Sequence, residues 1–118
     1  MKNLGLVEGK FCDLVWANAP VTTAQLVKLC EKELNWKRTT TYTVLKHMIN
    51  RGLFENDNKT VRVLITRDEF YADQSREYVS EQFEGSLPKF IAAFTSKSKL
   101  SREEAEELKR MIDNASED

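Results

Sequence analysis

The segment spanning residues 36–52 constrains the fold most strongly, because it is predicted to be one helix with two different faces. An apolar stripe at helical spacing consists of Val44, Leu45, Met48 and Ile49. The second face has no carboxylate and consists of Thr40, Thr43 and His47, flanked by Arg38, Lys46 and Arg51. The first face must pack on a core. The second is small, hydroxyl-rich and basic, which suits a helix that enters the DNA major groove and meets phosphates on its way in.

Two further helices are predicted ahead of this segment. The first covers about residues 5–18 and should end before Pro20, because proline disfavours helical geometry in the residue that precedes it. The second covers about residues 23–34, with Thr22 or Thr23 as its N-cap. Their expected buried stripes consist of Val7, Phe11, Leu14 and Val15 in the first helix, and Leu26, Val27, Cys30 and Leu34 in the second.

Residues at both ends of the two-faced helix mark its boundaries, and after it the hydrophobic pattern changes from helical spacing to short β-prone runs. Thr39 is a possible N-cap, and Gly52 stands just beyond the last turn, where glycine is favoured. Residues 53–55 and 61–65 are short β-prone runs, with a turn predicted over 57–60. Three helices followed by a hairpin is the order of a winged helix-turn-helix. The predicted fold class is therefore mainly α with a small β-hairpin wing.

Charge is distributed unevenly along a chain whose net charge is only −1. Residues 1–71 contain 11 Lys/Arg and 8 Asp/Glu, whereas residues 72–118 contain 7 and 11. Within residues 36–67 the counts are 7 and 2, so the basic segment coincides with the two-faced helix and the hairpin. The candidate DNA-binding residues are Lys37, Arg38, Thr40, Tyr42, Thr43, Lys46, His47, Lys59 and Arg62.

The C-terminal segment differs in composition and is predicted to be a helical dimerisation domain, residues 72–118, behind a DNA-binding domain of residues 1–71. Short helices of this kind bury too little surface to be stable alone, and here they carry large aromatic side chains. An interdigitated dimer is therefore expected, although an intrachain core is the alternative. Ser101 and Glu104 form a predicted capping box for the last helix. The candidate interface residues are Tyr78, Phe83, Leu87, Phe90, Ile91, Phe94, Leu108 and Ile112.

Several function classes receive no support from the sequence. No apolar run reaches the length of a membrane span and no signal-peptide pattern is present, so a cytoplasmic protein without membrane insertion is expected. One histidine, no Cys–His pairing and no glycine-rich phosphate loop argue against an enzyme, and no cofactor or metal is expected. Cys12 and Cys30 lie in apolar patterns and are predicted to be buried thiols.

These motifs together resemble the penicillinase-repressor family of bacterial transcriptional regulators. The family's recognition-helix pattern is matched by Trp36, Thr40, Thr43, Leu45, Arg51 and Gly52, and further resemblance lies in Leu14-Val15-Trp16, Gly85-Ser86-Leu87 and the run 100–108. The resemblance covers about the whole chain in order. It implies a homodimeric repressor of resistance or stress genes, whose winged helices read the half-sites of a palindromic operator.

The chain also departs from the family pattern. In β-lactam-responsive members a membrane sensor protease triggers cleavage at an Asn-Phe bond, but the corresponding stretch here is residues 91–95 and no asparagine precedes a phenylalanine. The cysteine-rich C-terminal motif of copper-responsive members is missing too. The resemblance therefore assigns no inducing signal. His47 stands where the family often has arginine, and Thr60 where it often has a glycine, which predicts a different operator or weaker binding.

The sequence leaves two alternative functions open. The first is a winged helix used for protein–protein contact without a DNA target, which the acidic pI near 5.9 allows. The second is a metal or redox sensor that uses Cys12 and Cys30.

Overall fold

The computed structural model describes residues 3–117 and confirms the predicted fold class, a mainly helical chain with a small antiparallel sheet. In chain order the elements are α1 (Leu6–Asn18), β1 (Val21–Thr22), α2 (Thr23–Leu34), α3 (Arg38–Asn50), β2 (Phe54–Asp57), β3 (Thr60–Val63), α4 (Arg67–Gln82), α5 (Leu87–Thr95) and α6 (Arg102–Ala115). The chain divides into two compact units, the first ending at Ser75 and the second beginning at Arg76. This division falls inside α4, a few residues beyond the expected boundary at residues 71 and 72.

The first unit has a closed apolar core to which helices and sheet both contribute. Its side chains with 0% exposure are Phe11, Cys12, Val15, Leu26, Cys30, Met48, Leu53, Phe54 and Val61. The predicted stripes of α2 and α3 face this core, with Leu45 buried and Val44 half-buried. Val7, which the helical spacing predicts to be buried, is 54% exposed. It lies in the first turn of α1, ahead of the part of that helix that packs on the core.

Local sequence explains where α2 and α3 begin and end. The Thr22 hydroxyl accepts a hydrogen bond from the Gln25 N–H (3.1 Å), and the Gln25 side-chain oxygen accepts one from the Thr22 N–H (3.0 Å), a reciprocal capping box. Lys37, not Thr39, precedes the first residue of α3. Gly52, with φ +83, ends α3 in the left-handed conformation that glycine tolerates best.

The sheet contains one strand that the sequence did not predict. β1 has two residues and pairs antiparallel with β3, which also pairs with β2, so the order is β1-β3-β2. β2 and β3 are joined by Asn58 and Lys59, whose φ values of 51 and 68 are those of a type I′ hairpin turn. The turn is thus shorter than predicted, and Thr60 already belongs to β3.

The second unit has no fully buried side chain in α5 or α6 among the residues that the structure describes. Ser86 caps α5 by accepting from the Lys89 N–H (3.2 Å), and Ser101 caps α6 by accepting from the Glu104 N–H (3.1 Å). An aromatic cluster joins the end of α4 to α5, with centroid separations between 5.4 and 6.2 Å. Its members are Tyr78, Phe83, Phe90 and Phe94.

Candidate nucleic-acid interface

The face of α3 that points away from the core is polar and basic. Leu45 and Met48 are 3% and 0% exposed, so helical periodicity turns the residues between them towards solvent. All nine candidate DNA-binding residues are exposed, namely Lys37, Arg38, Thr40, Tyr42, Thr43, Lys46, His47, Lys59 and Arg62. Seven of these nine lie on α3 or at its start, and the other two belong to the hairpin.

The consecutive threonines at the start of α3 have different roles. Thr41 is 1% exposed, and its hydroxyl donates to the Lys37 carbonyl at 3.4 Å. The Thr43 hydroxyl donates to the Thr39 carbonyl at 2.9 Å, which fixes the side chain while leaving its methyl group and oxygen lone pairs exposed. The Thr40 hydroxyl makes no hydrogen bond within residues 3–117 and is free to donate as well as accept.

Tyr42 connects α3 with the start of α2. The neighbouring Thr23 hydroxyl, and secondarily Arg38, hold the pKa of Tyr42 below its ordinary value, and nearby Lys59 acts in the same direction. The Arg38 guanidinium carbon lies 5.5 Å from the centre of the Tyr42 ring. The Thr23 N–H donates to the Lys59 carbonyl at 3.0 Å, which ties the hairpin turn to the first residue of α2. The start of α2 and the hairpin turn are therefore joined to each other close to Tyr42 on α3.

Two residues of this arrangement are not among the sequence-based candidates. Thr23 (6% exposed) and Thr41 are buried polar residues that face the core side of α2 and α3. The signal that could have found them is position: Thr23 continues the stripe of Leu26 and Cys30, and Thr41 continues that of Leu45. The hydroxyl of a threonine suggests an exposed residue, although its methyl group packs in a core as readily as that of valine.

The cationic groups of α3 and the hairpin differ in whether a carboxylate lies close to them. Arg62 lies 3.7 Å from the Asp57 carboxylate and pairs in register with Glu55 on the neighbouring strand. Its charge is therefore partly compensated within the hairpin. In the part of the chain that the structure describes, no carboxylate comes within 4.0 Å of the basic groups of Lys37, Arg38, Lys46 and Lys59.

The candidate dimer residues form an apolar surface on the second unit. Leu87, Phe94 and Ile112 are 53%, 62% and 56% exposed. Tyr78 and Ile91 are also exposed, at 49% and 38%. A groove of about 250 Å³ between α5 and α6 includes Phe90, Ile91, Phe94 and Leu108 in its walls. The predicted residues thus share one unit, and Phe83 and Phe90 also supply the intrachain contacts of the aromatic cluster.

The two cysteines have the environment of inert thiols. Both are free and fully buried, which confirms the prediction. Burial raises the pKa of the Cys12 thiol to about 12 and also raises the pKa of Cys30, although neighbouring Thr41 acts in the opposite direction. Raised pKa values deplete the thiolate, which is the reactive and metal-binding form. Across residues 3–117, no group of three or more His, Cys, Asp or Glu side chains is arranged to hold a metal ion.

Among the helices described between residues 3 and 117, none has the length and apolarity required to cross a membrane.

Comparison with known proteins identifies relatives over nearly the full length of the chain. The family model for the penicillinase repressor matches residues 4–114. The methicillin resistance regulatory protein MecI of Staphylococcus aureus strain Mu50 is 19% identical over 109 residues, which cover 89% of each chain. Proteins of the same name from Mammaliicoccus sciuri and Staphylococcus epidermidis are 18% identical, again over 89% of each chain.

Proposed function

This chain belongs to the penicillinase repressor family of transcriptional repressors, and from that premise we propose that it binds a palindromic DNA operator as a homodimer. The observation that carries the proposal is the exposed face of α3. It presents hydroxyl, imidazole and basic groups while the buried face of the same helix anchors it to a closed core. A rigid helix with such a face fits the major groove, whose base edges offer donors, acceptors and the thymine methyl group.

Direct reading of bases is assigned to the small polar side chains on the exposed face of α3. Thr40 can donate and accept, whereas Thr43 offers mainly its methyl group and an acceptor. His47, one turn beyond Thr43, extends this row. With the flanking cations on the phosphates, these three side chains would face the base edges and supply specificity.

Binding strength is assigned to the cations without an acidic neighbour. Lys37, Arg38 and Lys46 on α3 and Lys59 in the hairpin turn would contact phosphates. Arg62 contributes less than the sequence predicted, because Asp57 already compensates part of its charge.

Dimerisation is assigned to the exposed apolar side chains of α5 and α6. A second copy would cover Leu87, Phe94 and Ile112, which are more than half exposed in a single chain. Two linked winged helices bind two half-sites, spaced by about one helical turn or a multiple of it. Such linkage strengthens binding without new contacts, so an inducer that loosens the dimer would release the operator. The names of the relatives favour resistance genes as the regulated class, with stress genes as the broader expectation.

The proposal is tested by selecting duplexes from a random-sequence pool with the purified chain, then titrating the recovered duplex by fluorescence anisotropy at several salt concentrations. We expect a palindromic consensus and an association constant that falls steeply with salt. Lys46→Ala should show a shallower salt dependence, with a slope smaller by about one unit for each phosphate that the variant no longer neutralises.

Lys109→Ala on α6 is the matched control, because Lys109 is also exposed but lies in the second unit. It should bind the duplex as the unchanged chain does. Recovery of no preferred duplex, or binding indifferent to both salt and Lys46, would contradict DNA repression and favour a winged helix used for protein contact.

A further inference from the structure

The groove of about 250 Å³ between α5 and α6 has mostly apolar walls and one charged side chain. Phe90, Phe94 and Leu108 are among the apolar residues, and within residues 3–117 the polar ones are Thr95 and Glu104. We propose that this groove binds an ammonium compound with a small apolar body, that is, a protonated amine attached to one aromatic ring or a short alkyl chain.

The carboxylate of Glu104 has no partner of its own chain. Among the described residues, no basic nitrogen lies within 4.0 Å of it and no hydrogen bond reaches its oxygens. The Ser101 hydroxyl accepts only the backbone N–H of Glu104, at 3.1 Å. The charge of Glu104 is therefore available to an occupant of opposite sign.

The hydroxyl of Thr95 is a second, independent indication of the same chemistry. Its proton is donated to the Ile91 carbonyl at 2.7 Å, so only its oxygen lone pairs can serve an occupant. Both polar side chains of the described walls thus accept hydrogen bonds and neither donates one. An anion would meet a like charge and no side-chain donor, whereas an ammonium group supplies the donors that both side chains lack.

The aromatic rings and the size of the groove limit the rest of the occupant. The ring centres of Phe90 and Phe94 are 6.2 Å apart and the rings are tilted by 48°, and an aromatic face attracts a cation as well as an apolar group. The groove is slightly smaller than the range of about 300–1,000 Å³ that is usual for drug-sized ligands. A single ring with a short chain therefore fits better than a larger molecule.

The position of the groove gives such a ligand a consequence, and here the inference rests on the proposed function. Ile91, Phe94 and Leu108 belong both to the groove and to the surface that the proposed dimer would cover. An amine that binds the separated chain competes with the second copy and shifts the equilibrium away from the dimer. Loss of linkage between the two winged helices would then release the operator. The amine would act as an inducer that requires no cleavage of the chain.

Binding is tested with 3-phenylpropylamine, which is protonated at neutral pH. It is titrated into the full-length chain while backbone amide shifts are followed by NMR. The matched probes are 3-phenylpropan-1-ol and 4-phenylbutanoate, in which the same ring and chain end in a neutral hydroxyl or a carboxylate. We expect shifts on α5 and α6 with a dissociation constant below about 1 mM for the amine, about tenfold weaker binding of the alcohol and still weaker binding of the carboxylate.

Two glutamates in the first turn of α6 provide a matched pair of variants. Glu104→Gln keeps the size of the side chain and removes its charge, so it should weaken binding of the amine about tenfold and leave binding of the alcohol unchanged. Glu103→Gln is the control, because Glu103 is also exposed in that turn and does not line the groove. Equal binding of the amine and the carboxylate, or an amine affinity unchanged in Glu104→Gln, would overturn the inference. Absence of shifts on α5 and α6 would also overturn it, and would indicate that a second copy fills the groove.

The regulatory consequence is measured by sedimentation equilibrium and by anisotropy of the selected duplex, both at constant ionic strength. The amine should lower the dimer fraction and release the duplex from the unchanged chain and from Glu103→Gln, but much less from Glu104→Gln. Binding in the groove with an unaltered dimer would refute the assignment as an inducer. A chain that selects a palindromic duplex but ignores the amine would refute this inference alone, whereas a chain that binds the amine through Glu104 and selects no duplex would refute the proposed function alone.

Discussion

The two compact units of this chain differ in how completely they bury their apolar side chains. In the first unit, three helices and a three-stranded sheet enclose side chains such as Phe11 and Phe54 completely, and the surface that remains is polar. In the second unit, α5 and α6 contain no fully buried side chain among the described residues, and Phe94 is 62% exposed. The first unit encloses its large apolar side chains within a single copy, whereas the second leaves several of them exposed.

This difference shows how the same residue type carries different functions in one chain. A phenylalanine in the first unit stabilises the fold, so that α3 keeps its outer face rigidly exposed. Phe94 on α5, by contrast, is 62% exposed and buries less of its ring within the single chain. Contiguous exposed apolar surface is typical of interaction sites.

The largest expected effect is that of a cavity in the closed core. Phe54→Ala removes a fully buried ring that packs on Trp16 at a centroid separation of 5.8 Å. The free energy of unfolding should fall by about 3–5 kcal/mol, the usual cost of a large-to-small change in a packed core. Urea denaturation followed by tryptophan fluorescence measures it. A decrease below about 1 kcal/mol would show that the core relaxes and is not closed.

The next effect concerns association rather than folding. Phe94→Glu places a charge among the exposed apolar side chains of α5, and the dissociation constant of the proposed dimer should rise about a hundredfold or more, since a symmetric interface contains the change twice. Sedimentation velocity over a range of concentrations measures the change. Lys99→Glu, an exposed change outside that surface, is the control. A dimer unaffected by Phe94→Glu would place the interface elsewhere.

The third prediction concerns the pH dependence of the free energy of unfolding, because the first unit buries the Cys12 thiol. Burial raises the pKa of Cys12 from 9.0 to about 12, so the unfolded chain releases this proton at lower pH than the folded chain. Between these values the unfolded state binds fewer protons, and the free energy of unfolding should fall with rising pH by at most about 1.4 kcal/mol per unit. Urea denaturation at about pH 8 to 10.5 should show a shallower decline for Cys12→Ala. Equal slopes would mean that Cys12 is accessible to solvent.

The smallest effect distinguishes two exposed threonines on α3. Thr40→Val removes a hydroxyl that is free to donate, so discrimination at one base pair should fall by about fivefold to tenfold. Thr43→Val removes a hydroxyl already donating to the Thr39 carbonyl and keeps the methyl group, so its effect should be smaller. Competition titrations with single-base variants of the selected duplex measure both. The reverse order would show that Thr43 turns away from Thr39 when DNA binds.

Much of this architecture follows from local sequence. The spacing of Leu45 and Met48 predicted which face of α3 is buried, Pro20 marked the end of α1, and Gly52 marked the end of α3. Caps at Thr22 and Ser101 were also predictable, because a side-chain oxygen that satisfies free N–H groups acts within three residues.

Other features could not be found locally. β1 has only two residues, and it is a strand because the distant β3 pairs with it in the register Val21↔Val61. The burial of Thr41 depends on the packing of α3 against α2, where Cys30 lies beside it. The exposure of Val7 likewise depends on where the packing of α1 begins.

The sequence by itself determined that α3 has two faces, that its outer face lacks a carboxylate, and that the C-terminal helices carry apolar residues without enough chain to bury them. Periodicity and composition are properties of consecutive residues, and so they can be read from the sequence alone. Only the tertiary structure decided which cations keep their charge available. Arg62 meets Asp57 across a hairpin and Arg67 meets Asp13 from a distant helix, whereas among the described residues Arg38 and Lys59 have no carboxylate within 4.0 Å, because electrostatic pairing depends on distance in space and not on position in the chain.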